Sequence, residues 1–353
     1  EKQSLTIGYR ETEDTEDRFQ VYTTTDWVGS KLGALTIGSE PGYSSNNRLT
    51  IAEAAAFYIN EEFDFGALTV NVGFRSEEWE ISQDRYVDAA RSAIATGNGY
   101  PKKLADSDNS LMGFGATYYV NDTTQLFVGF HEGFTPTGGG ADPEEADNME
   151  MGVRYVKDNT YFEVVYFNTD YQNMFGECTA SGGATGSCEI GDSFNAGEAS
   201  ISGFEIVAQT ERVGESGTKY PLSMVYTSTD ASFDNTFDSN FWGSVTSGMD
   251  IPDLPDSQLA LQAGFEIKTG LRGSATYYAY GSTCSVASCG AGTVIDSYNI
   301  IDASLTKMVS DKLDVYMVVE NITDETDVVA RAPKNGARAQ KPRSFTLGVR
   351  YRL

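Results

Sequence analysis

The sequence predicts an all-β fold, a transmembrane antiparallel β-barrel with about fourteen strands in this chain. Three observations lead to that prediction. Apolar and polar residues alternate with period two over segments of about 9–12 residues. Short and long connections alternate between those segments, and aromatic residues make up 12% of the chain. No stretch of about 18 consecutive apolar residues occurs, so no transmembrane helix is predicted.

The last strand illustrates the alternation. Phe345, Leu347 and Val349 lie on one face, and Thr346 and Gly348 lie on the other. One apolar and one polar face are typical of a half-buried strand. A segment of about ten residues suits a tilted strand that crosses a bilayer. Because backbone groups in lipid must be paired within the protein, such strands require a barrel.

Fourteen segments follow this pattern, and they divide the whole chain, 1–353, into one barrel portion. The segments are 2–10, 49–60, 66–80, 109–120, 123–134, 147–156, 160–172, 199–211, 218–230, 257–268, 270–280, 296–307, 312–320 and 343–353. Long loops are predicted near 11–48, 81–108, 135–146, 173–198, 231–256, 281–295 and 321–342. Long loops are typical of the outer end of such barrels, and short turns of the inner end.

Composition excludes several function classes. The net charge of −26, with 25 Lys and Arg against 51 Asp and Glu, argues against a nucleic-acid partner, which needs a basic surface. The chain has one His, His131, and no G-x-S-x-G elbow, so no catalytic triad is predicted and the protein is not expected to be an enzyme. No protein cofactor and no metal site are predicted.

The four cysteines form two close pairs, both in predicted long loops. They are Cys178 with Cys188 and Cys284 with Cys289. Metal binding by these cysteines would need further Cys or His side chains nearby, which the sequence does not offer. We therefore predict two disulfides and an oxidising compartment.

Several short passages, taken in order over residues 66–353, resemble one family. They are a "GF-x-P" strand end in 126–136, a "PE…E-x-G-x-R-Y" passage in 142–155, a "Y-F-N-x-D-Y-x-N" strand in 161–173, an "N-A-G…G-x-E" step in 195–205, an "N-x-x-D" turn in 319–324 and a "P-R" approach to the last strand in 335–343. The chain thus resembles the TonB-dependent outer-membrane receptors, within them the ferric siderophore and ferric citrate group. The terminal pattern ending in Tyr351 and Leu353 is similar to an outer-membrane assembly signal, although Leu replaces the usual aromatic residue.

The resemblance implies an architecture and a set of partners. The family's barrel has twenty-two strands, so this chain would be its last fourteen, without the plug domain or the TonB-binding segment. A complete fourteen-stranded, porin-like channel is the alternative. The implied location is the outer membrane. The implied partners are the TonB energy-coupling complex, outer-membrane lipid and lipopolysaccharide, and a small-molecule chelate.

The resemblance also implies energised import of a scarce ligand, with an Fe(III) siderophore or citrate chelate as the expected cargo. Passive porin-like diffusion is one alternative. The same receptor class with a vitamin or carbohydrate cargo is another, and loop aromatics such as Phe237 and Trp242 keep a sugar ligand open.

An anionic chelate needs cations that converge at the outer end. The loop before the last strand holds the one basic cluster that stands out in this acidic sequence: Arg331, Lys334, Arg338, Lys341 and Arg343. We predict Arg331, Arg338 and Lys334 as ligand-binding residues, together with His131 near the top of a strand. Lys341 and Arg343 could instead contact lipid headgroups or loop carbonyls. The acidic loop residues match no calcium-loop spacing, so a solvated surface is expected for them.

Overall fold

The computed structural model describes residues 2–29, 31–41, 46–95, 102–136, 142–177, 193–195, 197–239, 242–331 and 336–352. Fourteen strands in these ranges form one antiparallel sheet in which each strand pairs with the next along the chain. They are β1 Lys2–Phe19, β2 Asn47–Asp64, β3 Leu68–Arg85, β4 Lys102–Asn121, β5 Thr124–Thr135, β6 Glu144–Lys157, β7 Thr160–Gln172, β8 Ala199–Val213, β9 Lys219–Phe233, β10 Ser257–Ile267, β11 Leu271–Tyr280, β12 Tyr298–Ser310, β13 Leu313–Glu320 and β14 Ser344–Tyr351. The predicted all-β, fourteen-stranded antiparallel sheet is confirmed.

Smaller two-stranded sheets lie in the long connections. They are Val21–Val28 with Lys31–Pro41, Phe175–Glu177 with Ser193–Asn195, Phe237–Ser239 with Gly243–Val245, Thr283–Cys284 with Val294–Ile295, and Val328–Ala330 with Arg338–Ala339. We call the end of the sheet that carries these connections the long-loop end, and the opposite end the short-turn end. Among the described residues, no helix has the length and apolar character needed to span a membrane.

The first four strands are longer than the sequence pattern predicted. β1 and β2 each have 18 residues and stay paired from Lys2 opposite Asp64 to Phe19 opposite Asn47. In the outer half of β1, both faces carry polar side chains, so the alternation that marks a strand disappears although the backbone pairing continues. The predicted loops 11–48 and 81–108 are therefore partly strand.

Cross-strand register fixes which face of the wall is apolar. Leu347 pairs with Met317, and Val349 pairs with Val315, so apolar side chains from β13 and β14 share one face. Large exposed apolar side chains of the other strands continue this face as an apolar band, as expected for a surface in contact with lipid. We call this the outward face.

The opposite, inward face is polar. Ser274 of β11 and Ser304 of β12 are joined by a hydrogen bond of 3.0 Å between their hydroxyls. Gly348 lies on this face, and a Cβ atom at its position would come within 2.3 Å of the Tyr316 ring. The missing side chain of Gly348 therefore lets Tyr316 lie across the inner wall. The Arg350 guanidinium lies 5.9 Å from the centre of the same ring.

The sheet remains open within the described residues. Its two edge strands, β1 and β14, pair with β2 and β13 and do not pair with each other. Backbone groups at an open edge would stay unpaired in lipid. Within the described residues the fourteen strands therefore form an open stretch of barrel wall rather than a closed ring.

Candidate ligand-binding site

A packed apolar cluster organises the long-loop end beyond β9. Phe233, the last residue of β9, is fully buried and packs with Val245 and Ala287. The ring centres of Phe237 and Trp242 lie 5.5 and 5.2 Å from that of Phe233. Val245 comes from the β9–β10 connection and Ala287 from the β11–β12 connection. Two successive long loops therefore share one small core.

Hydrogen bonds join the β11–β12 connection to both neighbouring loops. The Asp253 backbone N–H donates to the Cys284 carbonyl at 2.8 Å. On the other side, the Arg331 Nε–H donates to the Val294 carbonyl at 2.8 Å. Backbone N–H and C=O groups that are removed from solvent need hydrogen-bond partners. In both of these hydrogen bonds, the donor and the acceptor belong to different loops. The three connections after β9, β11 and β13 consequently form one assembly.

A disulfide constrains the middle loop of this assembly. Cys284 and Cys289 are bonded, with Cα atoms 5.5 Å apart, at one of the two pairs that the sequence predicted. Cys178 and Cys188 lie outside the described residues. The bridge closes a loop of only a few residues, so it limits the conformations available to the segment that links the two neighbouring connections.

The three connections enclose a cavity of about 280 Å³. It is lined by Asp253, Pro255, Tyr280, Gly281, Thr283, Ile295, Tyr298, Val329, Ala330 and Arg331. The rings of Tyr280 and Tyr298 are stacked, with centres 4.8 Å apart. Because residues an even number of positions apart share a strand face, these tyrosines lie on the same face as Ser274 and Ser304. The cavity is therefore at the top of the inward face.

The described lining of the cavity contains one cation and one carboxylate. The Arg331 Nε–H donates to the Val294 carbonyl, and Arg331 forms no ion pair with a carboxylate among the described residues. Asp253 also lines the cavity, with a positive φ of 61°. Although the residue is accessible to solvent, partial burial raises the pKa of the Asp253 carboxyl. The cavity can thus offer a guanidinium to a ligand while disfavouring additional negative charge.

A second cavity, of about 640 Å³, lies on the other side of Thr283. Three carboxylates, those of Asp230, Asp250 and Asp256, line it, and its described lining includes no Lys or Arg. Burying anionic groups there would bring like charges together without a compensating cation. The two adjacent cavities are therefore chemically different, and only the smaller one offers a cation.

A sequence model described as "TonB dependent receptor-like, beta-barrel" matches residues 3–322. The chain belongs to this family. As a receptor barrel of this kind it lies in the outer membrane. The family consists of transport receptors rather than enzymes.

Solved structures of receptors share the fold. The ferric-catecholate import receptor Fiu from K12 E. coli, in its closed form, gives a TM-score of 0.69 at 18% identity, covering 99% of this chain and 52% of that one. The siderophore receptor PiuA from Acinetobacter baumannii gives a TM-score of 0.69 at 17% identity, covering 90% of this chain and 44% of that one. The ferric citrate transporter FecA, in its unliganded form, gives a TM-score of 0.71 at 16% identity, covering 99% of this chain and 51% of that one. The chain spans about half the length of these structures.

The receptor barrel separates the five cations of its predicted basic cluster. Lys341 donates from Nζ to Glu320 at 2.6 Å, and Arg343 donates to the Ile322 carbonyl at 3.2 Å. These two cations stabilise the approach to β14. Lys334 lies outside the described residues. Among the described members of the cluster, Arg331 and Arg338 remain available to a ligand.

Arg331 and Arg338 differ in position. Arg331 lines the small cavity. Arg338 is exposed and pairs through its backbone with Ala330, so it lies beside the cavity without lining it.

His131 lies elsewhere on the receptor wall. It is on β5, opposite Gly113 and Asn148, and borders an open groove of about 330 Å³ that also contacts Tyr58 and Arg75. The structure therefore does not bring His131 together with Arg331. The prediction of ligand contact at His131 remains a separate prediction.

Sequence reasoning missed the tyrosine pair and Asp253. Tyr280 ends β11 and Tyr298 begins β12, so their pairing depends on the register across a connection of seventeen residues, 281–297. That register can be anticipated only after both strand ends are known. Within the described part of the receptor, no group of three or more His, Cys, Asp or Glu side chains is arranged to hold a metal ion.

Proposed function

We propose that the receptor imports an iron chelate from outside the cell by energised, TonB-dependent transport. The observation that supports this most directly is the small cavity at the top of the inward face, where Arg331 presents a guanidinium beside two stacked tyrosines. A bidentate guanidinium is suited to carboxylate and other oxyanion groups. The similar structures include ferric-catecholate and ferric citrate receptors, which favours the same cargo class.

The proposal includes partners that the family implies. The TonB energy-coupling complex would supply the energy, and outer-membrane lipid and lipopolysaccharide would surround the apolar outward face. Arg331 is the ligand contact that the cavity supports. Arg338 and His131, which lie outside the cavity, remain predicted contacts, and so does Lys334, which lies outside the described residues. We propose no catalytic role for the receptor and no resident cofactor, because the iron arrives as part of the cargo.

The positions of two loop aromatic residues bear on the alternative of a carbohydrate cargo. Phe237 and Trp242, which could have served as platforms for sugar rings, are packed against Phe233 in the small core. Sugar binding would need aromatic faces that are open to the ligand. The packing of these two rings therefore removes them as platforms for a sugar ligand.

Iron uptake by the full-length gene product tests the proposal. It would be expressed in a host that lacks its own chelate receptors, with and without a functional TonB complex, and ⁵⁵Fe uptake would be measured from a panel of chelates. We expect saturable uptake that requires TonB. Uptake that is linear with concentration and independent of TonB would support the porin alternative. An absence of uptake from every chelate, with the receptor present in the outer membrane, would contradict the proposal.

A further inference from the structure

We propose that the 280 Å³ cavity is a subsite for one planar aromatic group with a single anionic edge, and that it selects aryl-bearing iron chelates over polycarboxylate chelates. This inference rests on the proposed function, because it assumes that the cargo is an iron chelate. It goes further by naming the chemical group that the receptor recognises and the residues that set the preference.

The walls of the cavity fit a ring. Tyr280 and Tyr298 present stacked rings, with an angle of 22° between their planes. Ile295 and Val329 add aliphatic surface on the same cavity. Aromatic pairs with centres about 4.5–7 Å apart gain roughly 0.5–1.5 kcal/mol beyond the burial of their area. A polycarboxylate has no ring and would lose solvation against these walls without a comparable gain.

The charges of the cavity fit one anionic edge. Arg331 is the cation in its described lining, and its Nε–H already donates to Val294, which leaves the terminal nitrogens for a ligand. One guanidinium fork can bind one carboxylate or one pair of adjacent oxygens. Asp253 lines the same cavity and would repel further anionic groups. A ligand that carries several carboxylates would therefore bring more negative charge than the cavity can neutralise.

The neighbouring cavity strengthens the preference. A larger ligand would extend past Thr283, which borders both cavities, towards Asp230, Asp250 and Asp256. No Lys or Arg among the described residues lines that side, so a second carboxylate of the same ligand would meet like charge there. A neutral or positively charged extension of the ligand would not be repelled by these three carboxylates. The pair of cavities thus discriminates by repulsion as well as by attraction.

The assembly that holds the cavity is preorganised. Asp253 and Arg331, which contribute the two charges, are hydrogen-bonded to opposite ends of the disulfide-closed connection, at Cys284 and Val294. Fixing the binding residues before the ligand arrives lowers the entropic cost of binding. The cavity can therefore distinguish chelates by shape and charge without first ordering its own walls.

The test measures binding of two probes to the full-length receptor in detergent micelles, by titration calorimetry. The probes are the iron(III) complex of 2,3-dihydroxybenzoate and iron(III) citrate. We expect the aryl complex to bind more tightly. Arg331→Gln should weaken its binding about tenfold, the loss of a charge-assisted hydrogen bond. The matched control is Arg212→Gln, the same change at an exposed arginine near the short-turn end.

A second set of variants separates recognition from folding. Tyr298→Leu removes the ring and should weaken binding of the aryl complex about threefold to tenfold, whereas Tyr298→Phe keeps the ring and should bind nearly as well as the parent. Iron(III) citrate should respond little to either variant. Heat-modifiable migration on gels would verify that each barrel is folded.

The possible outcomes are distinct. Tighter binding of the aryl complex, with losses at Arg331→Gln and Tyr298→Leu, supports the subsite. Tighter binding of iron(III) citrate, or unchanged binding of the aryl complex in both variants, overturns the subsite. If citrate-supplied iron still enters by a TonB-dependent route, the proposed function stands. Failure of both probes to bind, together with TonB-independent uptake or none from the whole chelate panel, overturns the subsite and the proposed function together.

Discussion

Two parts of the long-loop end are built in opposite ways. In the packed rim, which we define as residues 233–256 and 281–297, the chain folds back and buries Phe233 under residues from two connections. In the extended rim, residues 11–41 and 78–95, the strands continue outward and a hairpin follows them. The side chains of Leu35 and Ile37 in that hairpin are 71% and 74% exposed.

Charge makes the contrast sharper. On the extended rim and its flanking strands, Glu13 pairs with Glu53, Glu53 with Glu80, and Glu80 with Asp106, so carboxylates stand side by side on four strands. Directly opposed like charges destabilise a sheet. Two arginines pair with carboxylates here. The Arg91 guanidinium donates to Asp17, and its Nε–H donates to Asn47 at 3.0 Å; we call these contacts the Arg91 clasp. Arg48 donates to Glu16 at 2.9 Å.

Different forces stabilise the two rims. The packed rim depends on apolar burial and a covalent bridge, neither of which responds strongly to salt or moderate acid. The extended rim depends on ion pairs among many carboxylates, including those of Arg91 with Asp17 and of Arg48 with Glu16, and ion pairs respond to both salt and acid. The proposed ligand cavity borders the packed rim through Asp253, Thr283 and Ile295.

The largest expected effect comes from breaking the small core. Phe233→Ala removes a fully buried ring, and the local free energy of opening of the packed rim should fall by about 3–5 kcal/mol. Hydrogen exchange of residues 234–256 in the full-length receptor measures this directly. Phe204→Ala is the matched control, because Phe204 is 51% exposed on the outward face. Equal exchange in the parent and in Phe233→Ala would show that the cluster does not hold the loop.

The next effect comes from removing the disulfide. The double variant Cys284→Ser, Cys289→Ser should lower the stability of the packed rim by about 2 kcal/mol, as the chain-entropy model gives for a loop this short. The amide of Asp253, which donates to the Cys284 carbonyl, should exchange faster. The Arg91 clasp should be unaffected, because the disulfide closes a loop within the packed rim alone. Faster exchange at both rims would contradict the independence of the two regions.

The sequence predicted the barrel wall better than the rims, for a physical reason. In lipid, each strand must alternate apolar and polar side chains, and segments such as 257–268 or 343–353 display this directly. Outside the apolar band both faces meet water, so the alternation disappears while backbone pairing continues. That is why the outer half of β1 and the hairpin at 21–41 were predicted as loop.

The candidate site was predictable only in part. Arg331 could be proposed because cations are rare in so acidic a chain. The structural roles of Lys341 and Arg343 could not be distinguished from the ligand-binding role predicted for Arg331. Their partners, Glu320 and Ile322, are each 21 residues away in sequence and become neighbours only in the fold. Contacts between successive loops follow from register and packing, which local patterns do not encode.

A smaller effect should appear at the extended rim on acidification. The hydrogen bond from Arg91 lowers the pKa of Asp17 below its ordinary value of 3.8. A carboxyl with a lowered pKa in the folded state contributes stability that is complete above its unfolded pKa and is lost as pH falls through the folded pKa. The clasp should therefore hold at neutral pH and open in strong acid.

Pepsin digestion at a series of acidic pH values measures that opening. Cleavage within 86–95 should increase as the pH falls below about 3.8, whereas cleavage within 234–256 should stay constant. In Asp17→Asn, cleavage of the segment 86–95 should increase less on acidification, because Asp88, whose pKa is lowered by its hydrogen bonds from Ser92, is then the carboxyl that still titrates in this segment. If the parent and Asp17→Asn respond to acid in the same way, a group other than Asp17 controls the clasp.

The smallest expected effect concerns charge inside the packed rim. Partial burial raises the pKa of Asp253, and the other charged or titratable groups that line its cavity are Arg331, Tyr280 and Tyr298. Protonation of Asp253 as pH is lowered removes negative charge beside the Arg331 guanidinium, so the cavity should bind an anionic aryl group more tightly. Asp253→Asn should bind it about two- to threefold more tightly at neutral pH, the scale of a partly exposed charge interaction.

Comparison of variants at each pH isolates this effect, because titration of the aryl probe is common to all of them. The difference in affinity between the parent and Asp253→Asn should shrink as the pH is lowered, since the parent carboxyl becomes neutral as well. Asp122→Asn, in a short turn at the opposite end of the barrel, should bind as the parent does at every pH. A difference that stays constant with pH would mean that the Asp253→Asn substitution acts through shape rather than charge. In that case Asp253 would contribute shape alone, and among the described lining residues recognition of the anionic edge would come from Arg331.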